Sequence, residues 1–226
     1  MMYWKYYVSD IDYGKEEAIA LDEVVRSKWL SLGDRTSLFE RNMSDFIGGA
    51  KTVAVSSCTS ALHLALKALN IKDGDEVIVP SYTFIATVNS ILYQRAKPVF
   101  IDISGEHDLN LDQSHLERLI TKKTKAIIPV HLAGYGTNIE EIVAFAKDRK
   151  LFVIEDAAHA VGSTFKGKAL GTFGDICCYS FFSNKNLVTG EGGMLVTDNI
   201  AIYEKARLFR YHGISKTSLD KVRGVS

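Results

Sequence analysis

Proline is scarce in this chain, with 3 residues in 226, and cysteine is equally rare at 3. Pro80, Pro98 and Pro129 fall at the boundaries of strand-like runs, where a missing N–H is tolerated, and no proline-rich linker, repeat or low-complexity tract divides the sequence. Cys58, Cys177 and Cys178 have neither the even count of a disulfide framework nor the CxxC spacing of a zinc site. They are expected to be reduced, with Cys177 or Cys178 buried in a strand. Net charge is missing too, because 27 lysines and arginines balance 27 aspartates and glutamates. Nucleic acid and anionic membranes are therefore not expected partners. The first residues, MMYWKYYVSDIDYGKEE, mix aromatics with charges and form neither a basic leader with an apolar run nor an anchor. A cytoplasmic location is the expectation. Also absent are the GxSxG elbow, the GxxxxGK[ST] loop, HExxH and GxGxxG, which removes the usual signals for a serine hydrolase, a nucleoside-triphosphate site, a zinc protease and a dinucleotide fold. His63, His107, His115, His131 and His212 lack metal spacing and read as structural, so no metal is expected.

What is present is alternation. Residues 14–29 carry Ala18, Leu21, Val24, Val25 and Trp29 at helical spacing, and TSLFERNMSDFIG repeats the pattern with Leu38, Phe39 and Phe46. These predict two leading helices. From Thr52 onward β-branched runs (TVAVSS, EVIVP, KPVFIDI, KAIIPVHL, LFVIEDAA) are separated by amphipathic segments such as TSALHLALKALN, LDQSHLERLI and NIEEIVAFAKDR. That order predicts an α/β fold: a mostly parallel central sheet flanked by helices in three α/β/α layers. After Asp156, GSTFKGKALGTFGDICCYSFF and GGMLVTD read as strands joined by glycine turns, which predicts an antiparallel or irregular sheet edge. AIYEKARLFRYH reads as a last helix. The expected division is a helical segment at 1–50, a large domain at 51–212 and a tail at 213–226 leading toward a further domain.

Three places can carry chemistry. In TVAVSSCTSALHLAL, Ser56, Ser57, Thr59 and Ser60 lie where a strand gives way to a helix, which makes either an anion site or simple N-capping by Ser57 or Thr59. In LFVIEDAAHA the run delivers Glu155 and Asp156 to a strand's C-terminal end, where open α/β sheets bind ligands. The two carboxylates point to opposite faces. Taken alone, Asp156 would cap the next helix, Glu155 would be solvated and His159 would be structural. Lys185 follows the apolar DICCYSFF closely and precedes the glycines of GEGG, so it is expected against a pocket wall, where desolvation lowers its pKa. A lysine amine and a carboxylate one βα-type unit apart are what pyridoxal phosphate needs, the first for its aldehyde and the second for its ring nitrogen. Phe84, just past a strand end, is the aromatic placed to cover a planar ring.

SSCTSALHLAL, DEVIVPSYTFIATVNSILYQRAKPVFIDI, KAIIPVHLAG, VIEDAAHAVGSTFKGKALGTFGD and SFFSNKNLVTGEGGML together resemble the DegT/DnrJ/EryC1/StrS sugar aminotransferases, pyridoxal 5'-phosphate enzymes of fold type I. The resemblance runs from about Trp29 to His212. It implies that Lys185 joins the cofactor aldehyde, Asp156 faces the pyridine nitrogen, and Thr59, Ser60 and Ser180 hold the phosphate. It also implies that Phe84 stacks on the ring and His159 approaches its phenolic oxygen. The implied reaction moves an amino group, usually from glutamate, to a nucleotide-linked keto-deoxysugar for lipopolysaccharide (O-antigen) or other surface glycans, in a homodimer with a shared site. GEGGM after NKNL looks most like members that aminate C4, such as perosamine-type synthases. Two departures stand out: Cys58 replaces the usual glycine of SSGT, and the family's small C-terminal domain, with its NYRM segment, is expected to be missing after the tail. The alternative expectation is a truncated, inactive fragment that only binds cofactor.

Overall fold

The computed structural model describes residues 11–136 and 138–215. Two helices lead, α1 (Lys15–Ser27) and α2 (Asp34–Phe46). Strands and helices then alternate through β1 (Lys51–Val55), α3 (Cys58–Ala68), β2 (Glu76–Pro80), α4 (Ile85–Tyr93) and β3 (Lys97–Ile101). A hairpin of β4 (Ile103–Gly105) and β5 (Asp108–Leu111) precedes the short α5 (Leu116–Leu119), followed by β6 (Thr124–Ile127), α6 (Ile139–Asp148) and β7 (Phe152–Asp156). A second hairpin, β8 (Thr164–Phe165) with β9 (Lys168–Ala169), leads to β10 (Ile176–Ser180), β11 (Gly193–Thr197) and α7 (Ile200–Arg210).

Seven strands form the main sheet in the order β1-β11-β10-β7-β6-β2-β3. β11 runs antiparallel to both β1 and β10, while the pairs from β10 to β3 are parallel. A strand antiparallel to both neighbours leaves those neighbours parallel to each other, so six strands end at one edge and β11 begins there. The expected α/β fold holds. The antiparallel piece, however, is inside the sheet and not at its margin: glycine turns bring β11 back between β1 and β10, and β1 becomes the edge.

The period-two alternation of the strands sorts the core into two layers. Val53, Val79, Ile154, Cys178 and Leu195 pack on one face with Leu62 and Leu66 of α3 and Ile91 of α4. Ile78, Val153, Cys177, Tyr179 and Met194 pack on the other with Met43 of α2 and Ile142 of α6. All three cysteines are free and buried. α3 is anchored by Ser57, whose side chain accepts from the Ser60 N–H, so Ser57 and not Thr59 is the N-cap. Asn199 does the same for α7, accepting from Ala201 and Ile202.

Two expectations change. LDQSHLERLI gives only a four-residue helix, because Asp112 first caps a tight 3-10 turn by accepting from the Ser114 N–H. The apolar stripe of α1 forms but is not buried: Ile19, Leu21 and Val25 are all exposed and the helix has no buried residue. No described helix is long and apolar enough to cross a membrane.

Candidate functional site

The strand ends open into a cavity of about 440 Å³, lined among others by Thr59, Phe84, Asp156, His159, Ser180 and Lys185. Six of the seven residues singled out in the sequence thus share one space. Ser60 does not line it. Its hydroxyl lies 3.0 Å from both Ser56 Oγ and Ser57 Oγ, beside an adjoining cavity.

Asp156 ends β7 on the α3–α4 face and is 4% exposed. No helix follows it to be capped; Oδ1 instead accepts from Ala158 N–H in a turn, at 3.2 Å. Burial pushes its pKa up, opposed by hydrogen bonds from Thr87 and Ala158 and by the nearby His131 and His159. A carboxyl raised in this way stabilises the fold fully below the unfolded carboxyl range, and that contribution is lost as pH rises through the folded pKa. Asp156→Asn should therefore raise the melting temperature of the cofactor-free chain at pH 7, with the gap closing on acidification; equal melting at pH 7 would refute this.

Lys185 lies in the loop after β10, its N–H donating to Phe182 O at 2.9 Å. It is half-buried, and burial lowers its pKa against the opposite pull of Cys58 and Asp156. A fraction of the amine is thereby freed for nucleophilic and proton-transfer work. Burial and Lys185 also lower the pKa of His159, whose Nδ1 accepts from the Ala133 N–H at 3.3 Å. That bond selects the neutral tautomer with Nε2–H free to donate.

Thr59, also lining the cavity, stands in the first turn of α3, where backbone N–H groups lack intrahelical acceptors and the helix dipole is positive. Ser180 closes β10 nearby, and its hydroxyl accepts from Phe182 N at 3.4 Å. Gly193 pairs with both Val55 and Ser180, directly against the start of α3. A Cβ there would sit 2.3 Å from Ser57 C and 2.5 Å from Cys58 N, and backbone cannot step aside. Gly193→Ala should cost about 2 kcal/mol or more, read as a lower urea midpoint at unchanged slope. Cys58 points inward and its Sγ–H donates to Cys178 O at 3.4 Å.

The structure adds residues the sequence did not mark. Phe182 lines the cavity together with Phe84, which is 75% exposed at the start of α4. Thr87 hydrogen-bonds Asp156 from α4. Glu155 is not solvated but fully buried, accepting from the ring of His131 and from the N–H groups of Gly171, Phe173 and Gly174.

The sequence model of the DegT/DnrJ/EryC1/StrS aminotransferase family matches residues 12–225. The chain belongs to that family. Among relatives of this aminotransferase-family chain, the GDP-perosamine synthase of Escherichia coli O157:H7 is 47% identical over 89% of this chain and 55% of its own length. Among solved structures, Helicobacter pylori PseC, an aminotransferase involved in the biosynthesis of pseudaminic acid, superposes with a TM-score of 0.87 at 35% identity, covering 94% of this chain and 57% of that one. The PLP form of Spr1654 from Streptococcus pneumoniae gives a TM-score of 0.84 at 31% identity, covering 91% and 57%. The DegT-family chain spans about half the length of the curated relatives it matches, 52 to 55%.

Proposed function

We propose that this chain is the cofactor-binding half, centred on residues 51–212, of a pyridoxal 5'-phosphate-dependent aminotransferase that converts a nucleotide-linked keto-deoxysugar to the amino sugar. The observation that carries this reading is the donor set of one cavity: a half-buried lysine, a buried carboxylate, and a helix N-terminus with hydroxyls. This set fits the cofactor, since the anion, the ring nitrogen and the aldehyde each meet a group of matching charge and reactivity. The PLP form of Spr1654 and the GDP-perosamine synthase relative support the cofactor and the substrate class respectively.

Pyridoxal phosphate, when bound, supplies an electron-accepting ring that stores an amino group between donor and acceptor. Asp156 keeps a proton on the ring nitrogen. Lys185 is the amine that would hold the cofactor through its aldehyde, and the same amine, when free, would be the group placed to move a proton at the substrate carbon. His159 Nε2–H donates to the phenolic oxygen. Thr59, Ser180 and the first N–H groups of α3 bind the phosphate, with Ser60 acting behind Ser57 as a support of the helix start. Phe84 covers one ring face and limits water.

The proposal extends to glutamate as donor, to a cytoplasmic enzyme and to products used in lipopolysaccharide, O-antigen or other surface glycans. It also includes a homodimer. Tyr82, Phe84 and Ile85, neighbours in sequence at the start of α4, are all exposed, and apolar side chains of this kind are what a second copy would cover.

The test is chemical. The chain is incubated with pyridoxal phosphate, reduced with borohydride and digested, and the pyridoxyl group is expected on the peptide containing Lys185. An unmodified Lys185 in a folded sample would refute the reading. Trapping without transamination of a keto sugar nucleotide would leave this stretch of chain with cofactor binding alone.

A further inference from the structure

Thr87 occupies the first turns of α4 and is 1% exposed, beside Val88 and Ile91. A buried hydroxyl there is costly unless it is hydrogen-bonded. Helical threonines and serines commonly bond back to a carbonyl of their own helix, and Ser90 does so, donating to Thr87 O at 2.7 Å. Thr87 does not. Its Oγ1 lies 2.7 Å from Asp156 Oδ2, a residue 69 positions away, and 2.9 Å from Thr83 Oγ1.

The direction of these bonds follows from the acceptor. An ionised carboxylate only accepts, so Thr87 must give its single proton to Asp156 and can then only receive from Thr83. The chain therefore runs Thr83 to Thr87 to Asp156. Thr83 immediately precedes Phe84, and Thr87 N donates to Phe84 O at 3.1 Å, so the turn that presents Phe84 is fastened to Thr87 at both backbone and side chain, and through Thr87 to the acid.

Resting on the proposed cofactor reading for its purpose, we propose that Thr87, backed by Thr83, is a positioning residue that holds the Asp156 carboxylate ionised and aimed into the cavity while registering the Phe84 turn upon it. Among the described residues, Thr87 is the donor to Oδ2, and Ala158 N–H is the donor to Oδ1. The titratable groups around Asp156 are His131 and His159 from the loops, Lys185 from the loop after β10, Cys58 from α3 and Cys178 from β10. Burial raises the Asp156 pKa and the Thr87 bond is the largest effect opposing it. Loss of that bond must raise it further.

The test uses the full chain without cofactor, labelled with carboxyl-¹³C aspartate, with the Asp156 signal identified by its loss in Asp156→Asn. Thr87→Val keeps the shape and removes the hydroxyl; the Asp156 titration should move up by about one pH unit or more, the equivalent of one hydrogen bond to a charged group. Thr87→Ser should restore it, which loss of packing alone would not do. An unchanged midpoint in Thr87→Val, or a serine variant that titrates like valine, overturns the proposal. Should Thr87→Val not fold, Thr83→Val removes only the outer donor and should give a smaller upward shift; an unchanged titration there overturns it equally. Because no cofactor enters this measurement, its failure is distinct from failure of the borohydride labelling of Lys185.

Discussion

Replacing Glu155 by alanine should cost the fold about 4 to 5 kcal/mol, in the range reserved for broken buried networks. Oε1 of Glu155 accepts from Phe173 N at 2.8 Å and Gly174 N at 2.7 Å; Oε2 accepts from Gly171 N at 2.9 Å and His131 Nε2 at 2.7 Å. Truncation leaves four donors without an acceptor, each worth about 1–3 kcal/mol, and relaxation with water entry returns part of that sum. Glu155→Gln keeps one oxygen for Phe173 and Gly174 but turns an amide N–H against Gly171 and His131, so an intermediate loss of about 2 kcal/mol is expected. Urea denaturation at constant slope measures both. A Glu155→Ala midpoint within error of the parent would show that the cluster is replaceable by solvent.

Lys185→Ala should remove the borohydride-stable pyridoxyl adduct completely and lower transamination, where the parent chain supports it, by about 10⁴-fold or more. On the proposed reading, the substitution deletes both the covalent anchor and the base that moves the proton. Small primary amines added to the alanine variant should recover part of the rate, since they can enter a cavity of about 440 Å³ and take the proton without being tethered. Lys185→Arg should not recover it, because a guanidinium stays charged and does not attack an aldehyde. Retained activity in the alanine variant would move the chemistry away from this residue.

The sequence carried the layered α/β architecture and marked Asp156, Lys185, Thr59 and Phe84, because strand ends and glycine turns are local signals, whereas Ser180 and His159 were marked only by the family resemblance. It did not carry Glu155. In FVIED the first carboxylate, Glu155, alternates onto the face opposite Asp156, and whether that face is wet depends on residues 171–174 folding back over it. Ser60 was legible as part of a hydroxyl-rich helix start but not as a residue outside the main cavity. Adjacent helical positions differ by about 100° in direction, so its neighbour Thr59 faces the cavity while Ser60 turns to Ser56 and Ser57. Thr87 was hidden for a third reason. A threonine inside IATVNSILY reads as ordinary helix filling until the chain brings Asp156 to it. The stripe of α1 was read correctly as a helix, but nothing in a single sequence says what an apolar face will meet.

The place of β11 has a consequence for synthesis. β1 pairs with β11 from Lys51 opposite Thr197 to Val55 opposite Gly193, and β10 also finds its second neighbour only in β11. A chain emerging from the ribosome at about 5–20 residues per second exposes β1 for something on the order of ten seconds before that neighbour exists. Throughout this interval the strand's apolar residues and backbone groups are open to other chains, and the start of α3 that follows β1 lacks the glycine it will rest against. The start of α3 is thus made well before the strand that completes its packing, which makes the arrival of Gly193 the event that closes the sheet against it.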